Sequence, residues 1–365
     1  MPNYAAPVED LRFVLNELID LEEIRAMPGY EETTPDVVDA VLNEAGRLAS
    51  EVLAPLNRCG DVQAPTVKDG VVTTSPEWRA AYHRFMEGGW TALIFDPEYG
   101  GQGLPRVLAV AVQEMWDASN MSFGLCPLLT CSAAEAISLQ GSEEQKRIYL
   151  TKLVSGEWAG TMNLTEPQAG SDLSAIRASA IPTDDDGHYL LSGQKIYITY
   201  GEHDLTSNIV HLVLARTPDA PEGVKGISLF IVPKFIPDSQ GEPAERNDLR
   251  CVSLEHKLGI HGSPTAVMAY GDQGGATAYL VGEENRGIEY MFIMMNMARH
   301  AVGVEGYAVA ERAYQRARSY AIERVQGRAV GDLSGKRVTI IDHPDVARMM
   351  IDMKSRVEAM RAVSL

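Results

Sequence analysis

WAGTMNLTEPQAGSDLS, residues 158–174, reads as the end of a strand running into a polar, turn-rich loop. An apolar run gives way to Asn163, Thr165, Glu166, Gln168, Ser171 and Asp172, with Pro167 and Gly170 between them. Backbone amides freed by an irregular chain, together with Thr and Ser hydroxyls, can hydrogen-bond the edge of a planar heteroaromatic ring or a phosphate, and glycine permits close approach. The same residues also suit a capped turn in which Ser171 and Asp172 bond local amides. Composition alone favours the capped turn; the neighbouring segments decide between the two.

Outward from this joint the periodicity changes. Upstream, to about residue 155, the pattern is helical. Thr34-Pro35 and Ser75-Pro76 each read as an N-cap followed by proline at the first helical position. Val37, Val38, Val41, Leu42, Ala45, Leu48, Ala49 and Val52 form one apolar stripe at three-and-four spacing. A second helix is predicted from Ser75 to Glu87, stopped by Gly88-Gly89, and a third from about Arg106 to Asp117 after the turn-rich YGGQGLP, 99–105. Ser142 and Gln145 form a capping box.

Downstream, from about Glu157 to Gly282, the period falls to two. HYLLSG, QKIYITY, NIVHLVLAR, GISLFIVPKF, RCVSLEH and TAVMAYG read as strands between turn residues. Helical periodicity returns from Glu289 to about Arg324 and from about Pro344 to the end. The expected class is α+β: an α-helical domain over 1–157, a β-sheet or barrel domain over 158–284, and the start of a helical bundle over 285–365.

Charge and composition narrow the function. The 365 residues carry 32 Lys and Arg against 50 Asp and Glu, a formal net charge of −18, the wrong sign for broad contact with nucleic acid or anionic lipid. MPNYAAPVEDLRFVL lacks the basic and apolar regions of a leader, and no window approaches eighteen uninterrupted apolar residues, so a soluble, cytoplasmic protein is expected. Cys59, Cys126, Cys131 and Cys251 are scattered and without a His ligand motif, which argues for plain buried thiols and no metal.

LTEPQAGSDLS, then SGQKIYITYG, LGIHGSPT, LVGEENRG and an R-x-Q-G on a late helix, taken in this order, resemble the acyl-CoA dehydrogenase family of flavoproteins. The resemblance is good over roughly residues 77–327, and the segment before residue 75 is most similar to the large bacterial subgroup that includes 3-methylmercaptopropionyl-CoA dehydrogenases. It implies FAD as cofactor. Met162 to Ser171 would line the flavin ring, with the Thr165 hydroxyl directed to the hydride-accepting N5, amides near Leu164 and Thr165 on the pyrimidine edge, and Gly170 within the loop. Ser171 would lie near the FAD pyrophosphate and the acyl-CoA. Tyr197 would pack on the flavin, flanked by Ile198 and Thr199.

The resemblance also matches Arg324 and Gln326, in ERVQG, to a pair that reaches the FAD diphosphate of a neighbouring subunit; a guanidinium offers two parallel donors to phosphate. Asn296 and Arg299 would face the substrate thioester and pantetheine. The implied reaction is α,β-dehydrogenation of an acyl-CoA, in a homodimer or homotetramer, with electrons passed to an electron-transfer flavoprotein. An acyl-CoA oxidase or flavin monooxygenase of the same fold, or a non-catalytic binding relative, is the alternative.

No catalytic residue is assigned. The family's usual glutamate lies in a late segment not found before Leu365; its minority position matches Ala298; and Glu305 lies two turns further along, about 10 Å in helical rise. The expectation is an incomplete acyl-CoA dehydrogenase that leaves flavin oxidised in the presence of acyl-CoA, with apolar helix faces after Glu289 wanting partners.

Overall fold

The computed structural model describes residues 4–185, 187–331 and 333–365. Met1 to Asn3, part of the stretch read above for a leader, lie outside the described residues. The fold gathers into two compact units, one made of the described residues up to Pro55 with Leu104–Met121 and His300–Leu365, the other of Leu56–Gly103 and Ser122–Arg299.

The second unit holds the sheet. After the helical residues Leu56–Val62 its chain forms a small hairpin, β1 (Thr66–Lys68) and β2 (Val71–Thr73), turned by Asp69 at φ 51° and Gly70 at φ 78°. The sequence reading had helix here, although Asp-Gly between β-branched residues is a hairpin signal. The expected Ser75-Pro76 cap also fails. Glu77 takes φ 68°, the helix is Trp78–Glu87, and the Ser75 hydroxyl donates to the Gln63 carbonyl at 2.7 Å. The glycine stop after Glu87 is present, with Gly89 at φ 66°.

Eight strands form the main sheet: β3 (Trp158–Asn163), β4 (Ser179–Pro182), β5 (His188–Thr199), β6 (Asn208–Ala215), β7 (Ser228–Pro233), β10 (Leu249–Leu254), β11 (Thr265–Tyr270) and β12 (Ala276–Leu280), with the hairpin β8 (Phe235–Pro237) and β9 (Pro243–Arg246) outside it. The order is β10-β11-β5-β12-β7-β6-β3, and β4 pairs with β5. HYLLSG and QKIYIT, read as two strands, are the single β5, and GISLFIVPKF divides into β7 and β8.

Period-two alternation sorts β6 and β7 onto two cores. Val210, Leu212 and Leu214 with Leu229 and Ile231 face a cluster that contains Ala133, Ile137, Tyr290 and Met294 from helices. Val213, Ala215, Phe230 and Val232 face Leu191, Met268 and Tyr270 inside the sheet's curve. Strands buried on both faces read as continuous apolar runs, as NIVHLVLA does.

The first unit is helical. Thr34 caps Pro35–Leu48 by accepting from Val37 N at 3.4 Å, and helical chain continues through a π segment, Ala49–Leu53, into Ala54–Val62. Helix Arg106–Gln140 far outruns the predicted stop at Asp117, but Asn120, at φ −158° and ψ 80°, breaks its helical geometry and donates to the Leu53 carbonyl. By length and composition this helix could cross a membrane, yet 67% of its apolar window is buried within the protein, as a core helix would be. Helix Pro344–Ser364 carries Arg361, fully buried, onto Glu114 at 2.6 Å and Glu311 at 3.2 Å.

Candidate flavin-loop site

One carboxylate closes the loop between β3 and β4. Glu166 is 4% exposed, and its Oε1 accepts from Lys195 Nζ at 2.8 Å and Ala178 N at 3.0 Å. Its Oε2 accepts from Arg177 N at 2.7 Å and Gln168 Nε2 at 2.6 Å. Lys195, on β5, has no exposed side-chain surface and also donates to the Leu164 carbonyl at 3.0 Å. Burial pushes the Lys195 ammonium down to about 8, against the pull of Glu166. Burial pushes the Glu166 carboxyl up, but Lys195 and the two amides outweigh it and hold the group below its usual range. Four bonds on one carboxylate leave Glu166 no capacity to move a proton.

The turn itself is tied by Glu166 N to Ala169 O and by Ala169 N to Glu166 O, while Asp172 accepts from Ser174 N at 2.9 Å. So the capped-turn reading, which has Ser171 and Asp172 bonding local amides, holds for Asp172 but not for Ser171. It does not consume the loop. Among the described residues, the amides of Leu164, Thr165, Gly170 and Ser171 and the hydroxyls of Thr165 and Ser171 make no hydrogen bond within the chain. Met162 and Leu164 pack their side chains on the helix-facing core.

β5 supplies the opposite wall. Its register with β11 slips between Lys195 and Ile198, so that Ile196 and Tyr197 stand opposite Val267 alone. This bulge does two things. It turns Ile196 N toward the Thr165 carbonyl, a bond of 2.9 Å, and it sends Tyr197 to φ 61° with its ring 61% exposed. Ile198 is buried in the sheet core, so its backbone is what it can offer, and the Thr199 carbonyl accepts from Thr161.

Asn296 and Arg299 are exposed on helix Gly287–Glu323, in the same compact unit as the loop; the Arg299 guanidinium lies 5.0 Å from the Phe292 ring centre. Arg324 and Gln326 belong to the other unit. They are not on a helix, as the R-x-Q-G reading had it. The helix ends at Glu323, and Gln326 sits on β13 (Val325–Arg328), paired with β14 (Arg337–Thr339) around Gly327 at φ 73°. The two exposed side chains meet, Arg324 Nη2 donating to Gln326 Oε1 at 3.2 Å.

Sequence reasoning missed the supports of the loop. Lys195 shares the inward parity of Tyr189 and Leu191, and a buried lysine demands a carboxylate, which TEP provides. Asn163 Oδ1 accepts from the buried Tyr270 hydroxyl at 2.8 Å, and His211 Nδ1 lies 3.2 Å from the same oxygen, pinning the end of β3. That contact joins segments far apart in the chain and has no local signature.

Comparison with known proteins fits this geometry. Residues 40–157 match the acyl-CoA dehydrogenase N-terminal domain and residues 161–272 the acyl-CoA dehydrogenase middle domain. The 3-methylmercaptopropionyl-CoA dehydrogenase of Ruegeria pomeroyi is 53% identical over 99% of this chain and 61% of its own length. Butyryl-CoA dehydrogenase from Megasphaera elsdenii superposes with a TM-score of 0.72 at 26% identity, covering 91% of this chain and 78% of the other. A structure described as the electron transferring flavoprotein of Acidaminococcus fermentans gives a TM-score of 0.73 at 28% identity, covering 91% and 77%. The chain spans about three fifths of the length of the curated relatives it matches best along its own length. With two domain matches in tandem and a relative that shares more than half of its residues, the chain belongs to the acyl-CoA dehydrogenase family.

Proposed function

We propose that this chain holds FAD and takes part in α,β-dehydrogenation of an acyl-CoA thioester, with an electron-transfer flavoprotein as electron acceptor. The observation that carries the reading is the set of uncommitted donors at Leu164, Thr165, Gly170 and Ser171, in a loop bonded to β5 at Ile196, next in the chain to the exposed Tyr197. Such an arrangement fits a planar ring with acceptor atoms along its edge. FAD, when bound, supplies the acceptor for the hydride that leaves the β-carbon.

The residues then divide the work. Thr165 offers a hydroxyl and an amide to the ring, with Leu164 beside it, and Met162 backs them from the core side. Tyr197 covers a face, and Ile198 and Thr199 add backbone and hydroxyl contacts. Ser171 and Gly170 border the diphosphate and the acyl-CoA. Asn296 and Arg299 face the substrate. Arg324 and Gln326 hold the diphosphate of a neighbouring subunit in a homodimer or homotetramer. The α-proton goes to a carboxylate that we do not assign, and Glu166 is not that group because its oxygens are committed. In this scheme the flavin-binding domain is 158–284, preceded in the chain by a mostly helical domain over 1–157 and followed by the start of a helical bundle over 285–365. A thioether-bearing or short-chain acyl group accords with the similarity to the Ruegeria dehydrogenase and the Megasphaera structure.

The test is reconstitution of the 365-residue chain with FAD, followed by anaerobic titration with acyl-CoA thioesters in the visible range. Retained flavin whose bands shift on adding acyl-CoA is expected. Loss of all flavin on gel filtration overturns the reading.

A further inference from the structure

The charge on Lys195 needs a reason beyond the sheet. An ammonium with no exposed surface on a strand whose other buried residues are Tyr189, Leu191 and Ile198 carries a large desolvation cost, and a buried ion pair is commonly no more stable than apolar residues of the same volume. What the pair does is local. Lys195 holds the Leu164 carbonyl at one end of the loop, and through Glu166 it holds the amides of Arg177 and Ala178 at the other. The ion pair thus bridges the two ends of the segment between Leu164 and Ala178, beside Ile196 N on Thr165 O and Arg216, which donates to the Ser174, Ile176 and Ala178 carbonyls.

The uncommitted donors sit inside this closure. The Leu164 carbonyl and the Thr165 N–H share one planar trans peptide, so holding that carbonyl on Lys195 points the Thr165 N–H the opposite way, and the bond from Ile196 N to the Thr165 carbonyl fixes the next peptide. Preorganised donors bind more tightly because their ordering is complete before the ligand arrives.

We infer that the Lys195–Glu166 pair is a positioning clamp that presets the loop 164–178 for FAD, without itself touching the cofactor. This rests on the flavin reading above. If it is correct, the loop is ordered before FAD binds, and breaking the pair loosens the loop and weakens FAD binding without unfolding the sheet.

The experiment uses the full chain and its Glu166→Gln, Lys195→Met and Lys195→Arg variants. FAD affinity is measured by quenching of flavin fluorescence, loop order by amide hydrogen exchange without FAD, and global stability by thermal unfolding. Glu166→Gln preserves shape and should fold; its Kd for FAD should rise at least tenfold, with faster exchange at Arg177 and Ala178 and strand amides unchanged. Lys195→Arg should recover part of the affinity lost in Lys195→Met. A folded Glu166→Gln protein with parental Kd and parental exchange overturns the clamp, even if Lys195→Met fails to fold. Lower thermal stability with unchanged Kd also overturns it, since that marks an ordinary structural role. Parental protein that holds no FAD fails the flavin reading first, before any variant is compared, and takes this inference with it.

Discussion

A tyrosine at φ 61° is held in a backbone region that costs side-chain-bearing residues about 1–2 kcal/mol, and the bulge in β5 is what holds it there. Strain of this kind can be separated from the ring by comparing two truncations. Tyr197→Gly should be more stable than Tyr197→Ala by about 1 kcal/mol in urea unfolding, because glycine accepts positive φ without penalty. Both should weaken FAD binding to a similar extent, as both lose the ring. Equal stability would mean that the bulge relaxes without Tyr197. Arg324 is exposed, and among the described residues its side chain hydrogen-bonds Gln326; its proposed ligand is the FAD of a neighbouring subunit. Arg324→Ala should loosen both FAD and the oligomer while leaving the subunit's own unfolding midpoint within about 1 °C, since surface substitutions usually cost little. Dialysis and light scattering check the two losses; retained flavin with unchanged oligomer size contradicts the role.

At the scale of elements, β3 reaches its position through Gly160. A Cβ there would lie 2.5 Å from the Ala133 Cβ and 3.3 Å from the Thr130 Cα, and Gly160 N donates to the Thr130 hydroxyl at 3.1 Å. Gly160→Ala should therefore destabilise the protein by about 1–3 kcal/mol through overpacking, measured by denaturant unfolding. A loss below the experimental error would show that the helix yields. Much of this layer was legible. The Thr34-Pro35 cap, the Ser142–Gln145 box and the continuous apolar runs NIVHLVLA and SLFIVP each depend on residues within a few positions, so local chemistry suffices. Ser75-Pro76 failed because the adjacent Thr74 is bound to Asp204 by two bonds and Ser75 to Gln63, a tertiary preference that outweighs capping. The loop 162–171 was visible as a candidate from composition and from resemblance. Its closure by Lys195 was visible in principle from strand parity, but the Asn163–Tyr270–His211 contact was not, since nothing near any of the three residues announces the others.

For the molecule as a whole, acid is the condition to which the fold is most exposed. His203 is buried with its proton affinity pushed down to about 3, first by burial and then by Lys234, and His211 is pushed well below its usual range by burial and then by Arg246 and Lys234. A histidine depressed in the folded state contributes stability that is fully present above the unfolded value near 6.5 and is lost as pH falls from there toward about 3. At pH 5 the expected loss is on the order of 2 kcal/mol for His203, and His211 acts in the same direction. Thermal unfolding from pH 7.5 to 5 should show a falling midpoint in the parent and a shallower fall in His203→Gln; parallel slopes would show that other groups set the acid limit. Assembly in time carries a separate consequence. β3 is the edge of its sheet and is joined by parallel pairing to β6, whereas the other strand pairs described are antiparallel. A parallel partner cannot be reached by a hairpin, so during synthesis β3, from which the loop starts, lacks its strand partner until Asn208–Ala215 has emerged and docked. The loop after Asn163 is thus fixed later than its own place in the chain, and a nascent chain stopped before β6 should leave Thr165 open to proteases that the finished fold excludes.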